Sequence, residues 1–254
     1  MDLYYSIVFF IFGSIFGSFF NVVGYRLPKE ESIVYPPSHC PNCNHQLTAI
    51  ELIPILSYIF LGAKCKNCHI RISPFYPIFE FITGFLFMMA YQIFGLSFET
   101  LLAIVFLSTL VIVFISDYQT MIIPDQVIIA SSIMMVILIF FIRGIGGLGL
   151  SILDGVIAFG SMWLLKLLGD FMFKKESMGG GDIKLLFIFG LYFGWPMALL
   201  SVVIASFIGL PISIIVLLVK KDNVVPFGPF LSMAAALITL LQINFETIKQ
   251  LFIR

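Results

Sequence analysis

Apolar residues in this chain come in long runs, with no polar face alternating along them. The runs lie near 3–25, 76–94, 101–116, 126–142, 150–169, 183–194, 197–219 and 229–243. A helix needs roughly 20 apolar residues to cross the hydrocarbon core. In lipid every backbone N–H and C=O must find its partner inside the structure, which a helix does within its own segment. The pattern therefore predicts an all-α polytopic membrane protein of about eight transmembrane helices. The run 183–194 is short for a crossing, so it is expected to tilt or to recruit flanking residues. One long stretch, 26–75, is too polar to span. The predicted organisation is a first transmembrane helix at 1–25, a small insertion at 26–75 and a membrane-embedded body at 76–254.

Composition agrees. Of 254 residues, 60% are hydrophobic and 11% charged, with mean hydropathy +1.09; a soluble domain carries about 25% charged residues. Formal net charge is zero, so there is no basic footprint of a nucleic-acid partner. The first residues, Met1-Asp2-Leu3-Tyr4, lack the basic start of a signal peptide, and the first run is expected to be a retained span. Orientation follows from lysine and arginine, which concentrate on the cytoplasmic side. Arg26, Lys29, Lys64, Lys66 and Arg71 lie in the polar insertion. Placing it inside puts Lys174, Lys175, Lys184, Lys220 and Lys221 on the same side and leaves Arg143, Lys249 and Arg254 outside. Lys166 falls near an inner helix end, where it can snorkel. Both termini are then outside. In the first span Gly13, Ser14, Gly17 and Ser18 form a small-xxx-small pattern, which lets another helix approach closely.

The insertion holds all four cysteines, as Cys40-Pro41-Asn42-Cys43 and Cys65-Lys66-Asn67-Cys68. Two CxxC pairs at this separation are close to zinc-ribbon spacing, each pair supplying two thiolates to a tetrahedral Zn²⁺. Lys64 and Lys66 favour thiolates, and a reducing cytosol disfavours the rival pairing as disulfides. A loop this small buries little core, so metal would supply much of its folding energy. His39, His45 and His69 are spare candidates, better read as surface residues.

Six acids lie in or beside the runs: Glu80, Asp117, Asp125, Asp154, Asp170 and Asp182. Intramembrane acids are costly and point to function. Asp154 and Asp170 read as interfacial residues, and Asp125, after Pro124, as a helix cap. Asp182 follows Gly179-Gly180-Gly181 at the start of an apolar run, where a carboxylate can also cap. Asp117 ends the run before it, where the helix dipole disfavours negative charge, so capping does not explain it. The predicted topology sets Asp117 and Asp182 at one depth on the cytoplasmic side. If their helices are neighbours, the pair would share a proton. One acid could then activate water while the other polarises a peptide carbonyl. The same pair could instead bind a cation or relay protons in a transporter.

Several motifs resemble, in order along the chain, those of the type IV prepilin peptidases, membrane aspartyl enzymes with a GxGD motif. Gly17-Ser18-Phe19-Phe20-Asn21-Val22-Val23 with Tyr25-Arg26-Leu27-Pro28 is similar to the opening signature. The two cysteine pairs, Ile53-Pro54-Ile55-Leu56-Ser57, and Ile72-Ser73-Pro74-Phe75-Tyr76-Pro77 with Glu80 are similar to the cytoplasmic domain. Asp117, with Ile123-Pro124-Asp125, stands at the first catalytic motif. Gly179-Gly180-Gly181-Asp182 with Lys184-Leu185 stands at GxGD, after Ser177 where many relatives have glycine. Pro226-Phe227-Gly228-Pro229-Phe230-Leu231 is similar to a late loop. Ala63 stands where relatives often have glycine before a basic residue, here Lys64.

The resemblance implies Asp117 and Asp182 as the catalytic pair, supported by Gly179, Gly181, Lys184 and Asp125. It implies prepilin or pseudopilin substrates, cut at the cytoplasmic face of the bacterial inner membrane. It also implies N-methylation of the new terminus from S-adenosylmethionine, with Lys64 and Glu80 associated with that activity. The cysteine loop could alternatively dock pilus or secretion assembly proteins.

Overall fold

The computed structural model describes residues 2–174, 178–220 and 225–243. Ser177, Lys175, Lys221, Lys249 and Arg254, used above in reading motif and orientation, lie outside the described residues. The architecture is helical, and among the described residues the only extended pairing is two isolated bridges. Each of the eight apolar runs is helical over all or most of its length. Among the described residues, five helices are long and apolar enough to cross a membrane. The chain divides into two compact units, Met1–Leu96 and Ser97–Arg254.

In the first unit, α1 (Asp2–Arg26) packs along α3 (Phe75–Phe94). The predicted close approach is made through Gly13 and Gly17. A Cβ on Gly13 would lie 2.7 Å from the Thr83 carbonyl, and one on Gly17 would lie 2.8 Å from Glu80 Cα. Asn21 donates to the Tyr76 carbonyl (3.3 Å), fixing the two helix ends together. Between them run the cysteine segment and the short α2 (Leu56–Phe60).

The second unit contains α4 (Phe98–Thr120), α5 (Asp125–Phe173), α6 (Gly180–Phe193), α7 (Trp195–Lys220) and α8 (Gly228–Leu240). Ser97 caps α4, its hydroxyl accepting the Thr100 N–H at 3.3 Å. The 49 residues of α5 are interrupted at Gly144, which is non-helical at φ 67° and ψ −174°. Before Gly144, α5 packs on α4, with Thr109 donating to Ser131 at 2.6 Å. After it, α5 packs on α6, where a Cβ on Gly190 would lie 2.6 Å from Gly155 Cα. The two predicted runs 126–142 and 150–169 are thus the two arms of this broken helix. The core of the unit includes Phe106, buried and stacked on Tyr192 at 4.1 Å between centroids. The helices of 183–194 and 229–243 are 14 and 13 residues long, shorter than the other membrane candidates.

Candidate active site

Helix ends converge on a cleft in the second unit. α4 carries Asp117 in its last turn and stops at Met121, which is left-handed (φ 56°), its N–H bonded to the Asp117 carbonyl at 2.9 Å. The chain turns through Ile122 and Ile123, held by the Ser116 hydroxyl donating to the Ile122 carbonyl. Pro124 then precedes α5, whose first residue is Asp125. α6 opens after Gly179 with Asp182 in its first turn. α8 opens at Gly228, next to Pro229 in its first turn.

Asp117 and Asp182 are both buried, at 6% and 8% exposure. They line one cleft of about 730 Å³ together with Asp125, Lys184, Gly179, Gly180 and Gly181. That volume is usual for a ligand cleft. Its apolar walls include Ile123, Met178 and Phe227. The two carboxylates are near enough for their charges to act on one another. Asp117 Oδ2 accepts the N–H of Gly228 at 2.8 Å. Among the described residues Asp182 Oδ1 is buried with no hydrogen-bond partner. A buried carboxylate oxygen without a partner is costly unless a proton, water or ligand satisfies it.

The glycines divide their work differently from a simple flexible turn. A Cβ on Gly181 would lie 2.8 Å from Ile123 Cβ, so this glycine lets α6 press against the turn after Asp117. The glycine packed tightest on the acids is Gly228, where a Cβ would lie 2.7 Å from Asp117 Oδ2. Gly228 was legible only as part of a late motif, since nothing local ties it to an acid 111 residues away. Asp125 does not act as the expected cap: Pro124 holds the cap position with no side-chain bond. Its carboxylate instead meets Lys184 Nζ at 2.6 Å, both side chains about half exposed. Asp154 lies at the α5–α6 contact, apart from the residues lining the cleft.

The first unit brings the four cysteines together. All four are free, and their sulfurs lie within 4.8 Å of one another. The two cysteine loops repeat the same hydrogen bonds. Cys40 N–H bonds the His45 carbonyl and Asn44 N–H bonds the Cys40 carbonyl, both at 2.9 Å. Cys65 N–H bonds the Ile70 carbonyl at 2.9 Å and His69 N–H bonds the Cys65 carbonyl at 3.0 Å. Bridges His39–Gln46 and Lys64–Arg71 close the two loops. Cys40–Cys68 and Cys43–Cys65 sulfur separations are 3.7 and 3.9 Å. Four sulfurs at about 2.3 Å from a tetrahedral zinc lie about 3.8 Å apart, so the donor set fits the metal.

The thiols are graded. The Cys43 amide lowers Cys40, and the Ile70 amide, with the Asn42 side chain, brings Cys68 down to about 6. The Cys68 and Asn67 amides favour a Cys65 thiolate, but burial and the thiols of Cys40 and Cys68 outweigh them and push it up to about 11. Four thiolates this close repel, and a dication at their centre would relieve that. His45 pairs with Glu51 at 3.2 Å and is not part of the four-sulfur group. Amide and hydroxyl of Thr48, and then His45, hold Glu51 below the usual carboxylate range.

Of the other two residues singled out, Lys64 is exposed beside Cys65. Glu80 is buried in α3 and accepts the Ile55 N–H at 2.8 Å. Ala63 is left-handed at φ 59°, which accounts for glycine at that position in the similar motifs.

Comparison with known sequences matches both units. The Bacterial Peptidase A24 N-terminal domain matches residues 11–94 and the Type IV leader peptidase family matches residues 104–214. A prepilin leader peptidase/N-methyltransferase of Bacillus subtilis is 38% identical over 245 residues, covering 91% of this chain and 92% of its own. The chain belongs to the type IV leader peptidase family. Proteins of the same name from Neisseria gonorrhoeae (31% identical, 90% of this chain, 87% of theirs) and Aeromonas hydrophila (30%, 91%, 89%) are also similar. Its enzyme class, a leader peptidase that is also an N-methyltransferase, is that of these relatives. No solved structure matches this chain. With membrane-length helices in both units, it is a multi-pass membrane protein.

Proposed function

We propose that this protein removes the leader from prepilins or pseudopilins by aspartyl proteolysis at the cytoplasmic membrane face, and then methylates the new N-terminus. The observation that carries the reading is the pair of buried carboxylates, Asp117 and Asp182, on one cleft of a leader-peptidase-family chain. That pairing with a peptidase family favours catalysis over the cation transport the acids alone would permit.

In the proposed reaction one acid is ionised and takes a proton from water as that water attacks the scissile carbonyl. The other, protonated, donates to the carbonyl oxygen, and the resulting diol collapses with proton transfer to the leaving amine. Gly228 N–H can only donate, which favours charge on Asp117; the proton then rests on Asp182, whose Oδ1 has no other partner among the described residues. Gly179 leaves room beside Asp182 Oδ2 for a peptide backbone, since even a Cβ there would stand 3.4 Å away. The membrane arrangement we propose has eight spans, the two short helices tilted, both termini outside, and the cysteine domain and cleft inside.

Cys40, Cys43, Cys65 and Cys68 would hold a structural Zn²⁺, which when bound supplies folding energy to residues 26–75. Lys64 and Glu80 belong to the same proposed methyltransferase-associated unit. The methylation reading implies S-adenosylmethionine as donor. The described residues of the first unit contain no strand beyond isolated bridges, so a Rossmann-type cradle does not fit it. Partners in this reading are the pilin precursor, the lipid bilayer and, through the cysteine domain, pilus or secretion assembly proteins.

The test is purified protein in lipid nanodiscs with a prepilin, followed by intact-mass measurement. Loss of the leader and one added methyl group are expected. An unchanged substrate mass with wild-type enzyme, or normal cleavage by Asp117→Asn and Asp182→Asn, would overturn the proposal.

A further inference from the structure

Residues 50–60, between the two cysteine pairs, are more apolar on their outside than a water-facing loop should be. Phe60 is 81% exposed, Ile50 76% and Ile59 64%, with Leu52, Ile53 and Leu56 also exposed. The charge in the segment, Glu51, is occupied by Thr48 and His45. Isolated apolar residues on a surface are ordinary, but six in eleven positions form a patch that marks an interaction surface.

The patch is held at a definite place. Glu80 lies five residues into α3, about 7 Å along its axis. Its Oε2 accepts the Ile55 N–H at 2.8 Å. Ile55 itself sits at φ 62°, unusual for a β-branched residue, so the carboxylate secures a backbone that would not otherwise choose this shape. The segment containing α2 is therefore pinned beside the first turns of a membrane-length helix. α3 exposes Ile78 and Phe81 in those same turns. The apolar segment is thus tied, through Ile55 and Glu80, to an end of α3 that itself exposes apolar side chains. Arg26 and Lys29, at the end of α1 paired with this end of α3, supply the positive charge that suits phospholipid headgroups.

We propose that residues 50–60 are an interfacial membrane anchor, lying in the boundary between headgroups and acyl chains, with a lipid surface as their partner. Amphipathic segments take this position when an apolar face is flanked by basic residues. Seated so, the cysteine domain is held against the bilayer, with its thiolate cluster on the water side. The inference rests on α1 and α3 crossing the membrane and not on the catalytic assignment.

Full-length protein with Trp163→Phe and Trp195→Phe, in nanodiscs, gives a background free of native tryptophan. Phe60→Trp and Ile59→Trp are then read against Phe81→Trp on α3 and Lys66→Trp on the exposed cysteine loop. The nanodisc lipids are brominated either near the headgroup or near the chain end. Phe60→Trp and Ile59→Trp fluorescence is expected to fall roughly twofold with shallow bromine and less with deep bromine, while Lys66→Trp is unchanged. Emission at the wavelength of water-exposed tryptophan, unquenched by either lipid, overturns the anchor. So does blue-shifted but unquenched emission, which would mean a protein surface covers the patch. Stronger quenching by the deep lipid would place the segment inside the hydrocarbon and also overturn it. Prepilin cleavage by each variant, measured alongside, reports separately on the proposed function.

Discussion

The N–H of Gly228 donates to Oδ2 of Asp117 at 2.8 Å, joining the start of α8 to the end of α4 across 111 residues. The same glycine has no room for a side chain, because its Cβ would lie 2.7 Å from that oxygen. Gly228→Ala should therefore push the carboxylate out of place while leaving the fold intact. A displacement of this order costs about 10²-fold in rate. The expected result is a fall mainly in kcat, with KM little changed, in a quantitative prepilin-cleavage assay.

Asp117→Asn and Asp182→Asn should each reduce cleavage by about 10³-fold or more, since in the proposed reaction each removes one half of a general acid–base pair. The double variant should be little worse than either single one, because groups acting as a unit are not additive. Circular dichroism should show unchanged helix content, as both changes keep shape.

The Asp125–Lys184 pair is close, at 2.6 Å, but about half exposed on both sides. Lys184→Met should cost less than about 1 kcal/mol of stability, and the cost should shrink as salt is raised. Thermal unfolding at low and high ionic strength measures it. A salt-independent loss would mean that Lys184 packs rather than pairs.

Ala63→Gly should stabilise the cysteine domain. Ala63 is held at φ 59°, and an alanine at positive φ is destabilising by roughly 1 kcal/mol relative to glycine. Reduced susceptibility of residues 26–75 to limited proteolysis is the expected readout.

With zinc at the four cysteines, as proposed, removing the metal should separate the two activities. The cysteines belong to the first compact unit and both acids to the second. Cys43→Ser should abolish bound zinc and methylation while prepilin cleavage stays within about tenfold of wild type. Intact mass would then show the shortened pilin without its methyl group. Because Cys65 alone is pushed up to about 11, zinc binding at neutral pH must expel its proton, and affinity should fall as pH is lowered. Proton release on adding zinc to stripped protein checks the sign.

Much of this protein can be read without its structure. Continuous apolar runs dictate helices, because lipid offers no other partner for backbone groups. CxxC spacing favours a knuckle, because a four-residue turn suffices to aim two sulfurs at one point. Asp117 and Asp182 stood out since a charge at a membrane helix end needs a reason. Three things needed the tertiary structure. Gly228 meets Asp117 only because α8 packs on α4. Asp125 faces Lys184 rather than capping its own helix because α6 starts beside the turn at Ile123. Ile55 is held by Glu80 only when the insertion folds back onto α3. Local pattern reports which states a segment favours by itself, through backbone hydrogen bonding and burial of its own side chains. Which helix ends share a cleft depends on contacts between residues far apart in the chain, and those are settled by how closely glycine-bearing helix faces can approach.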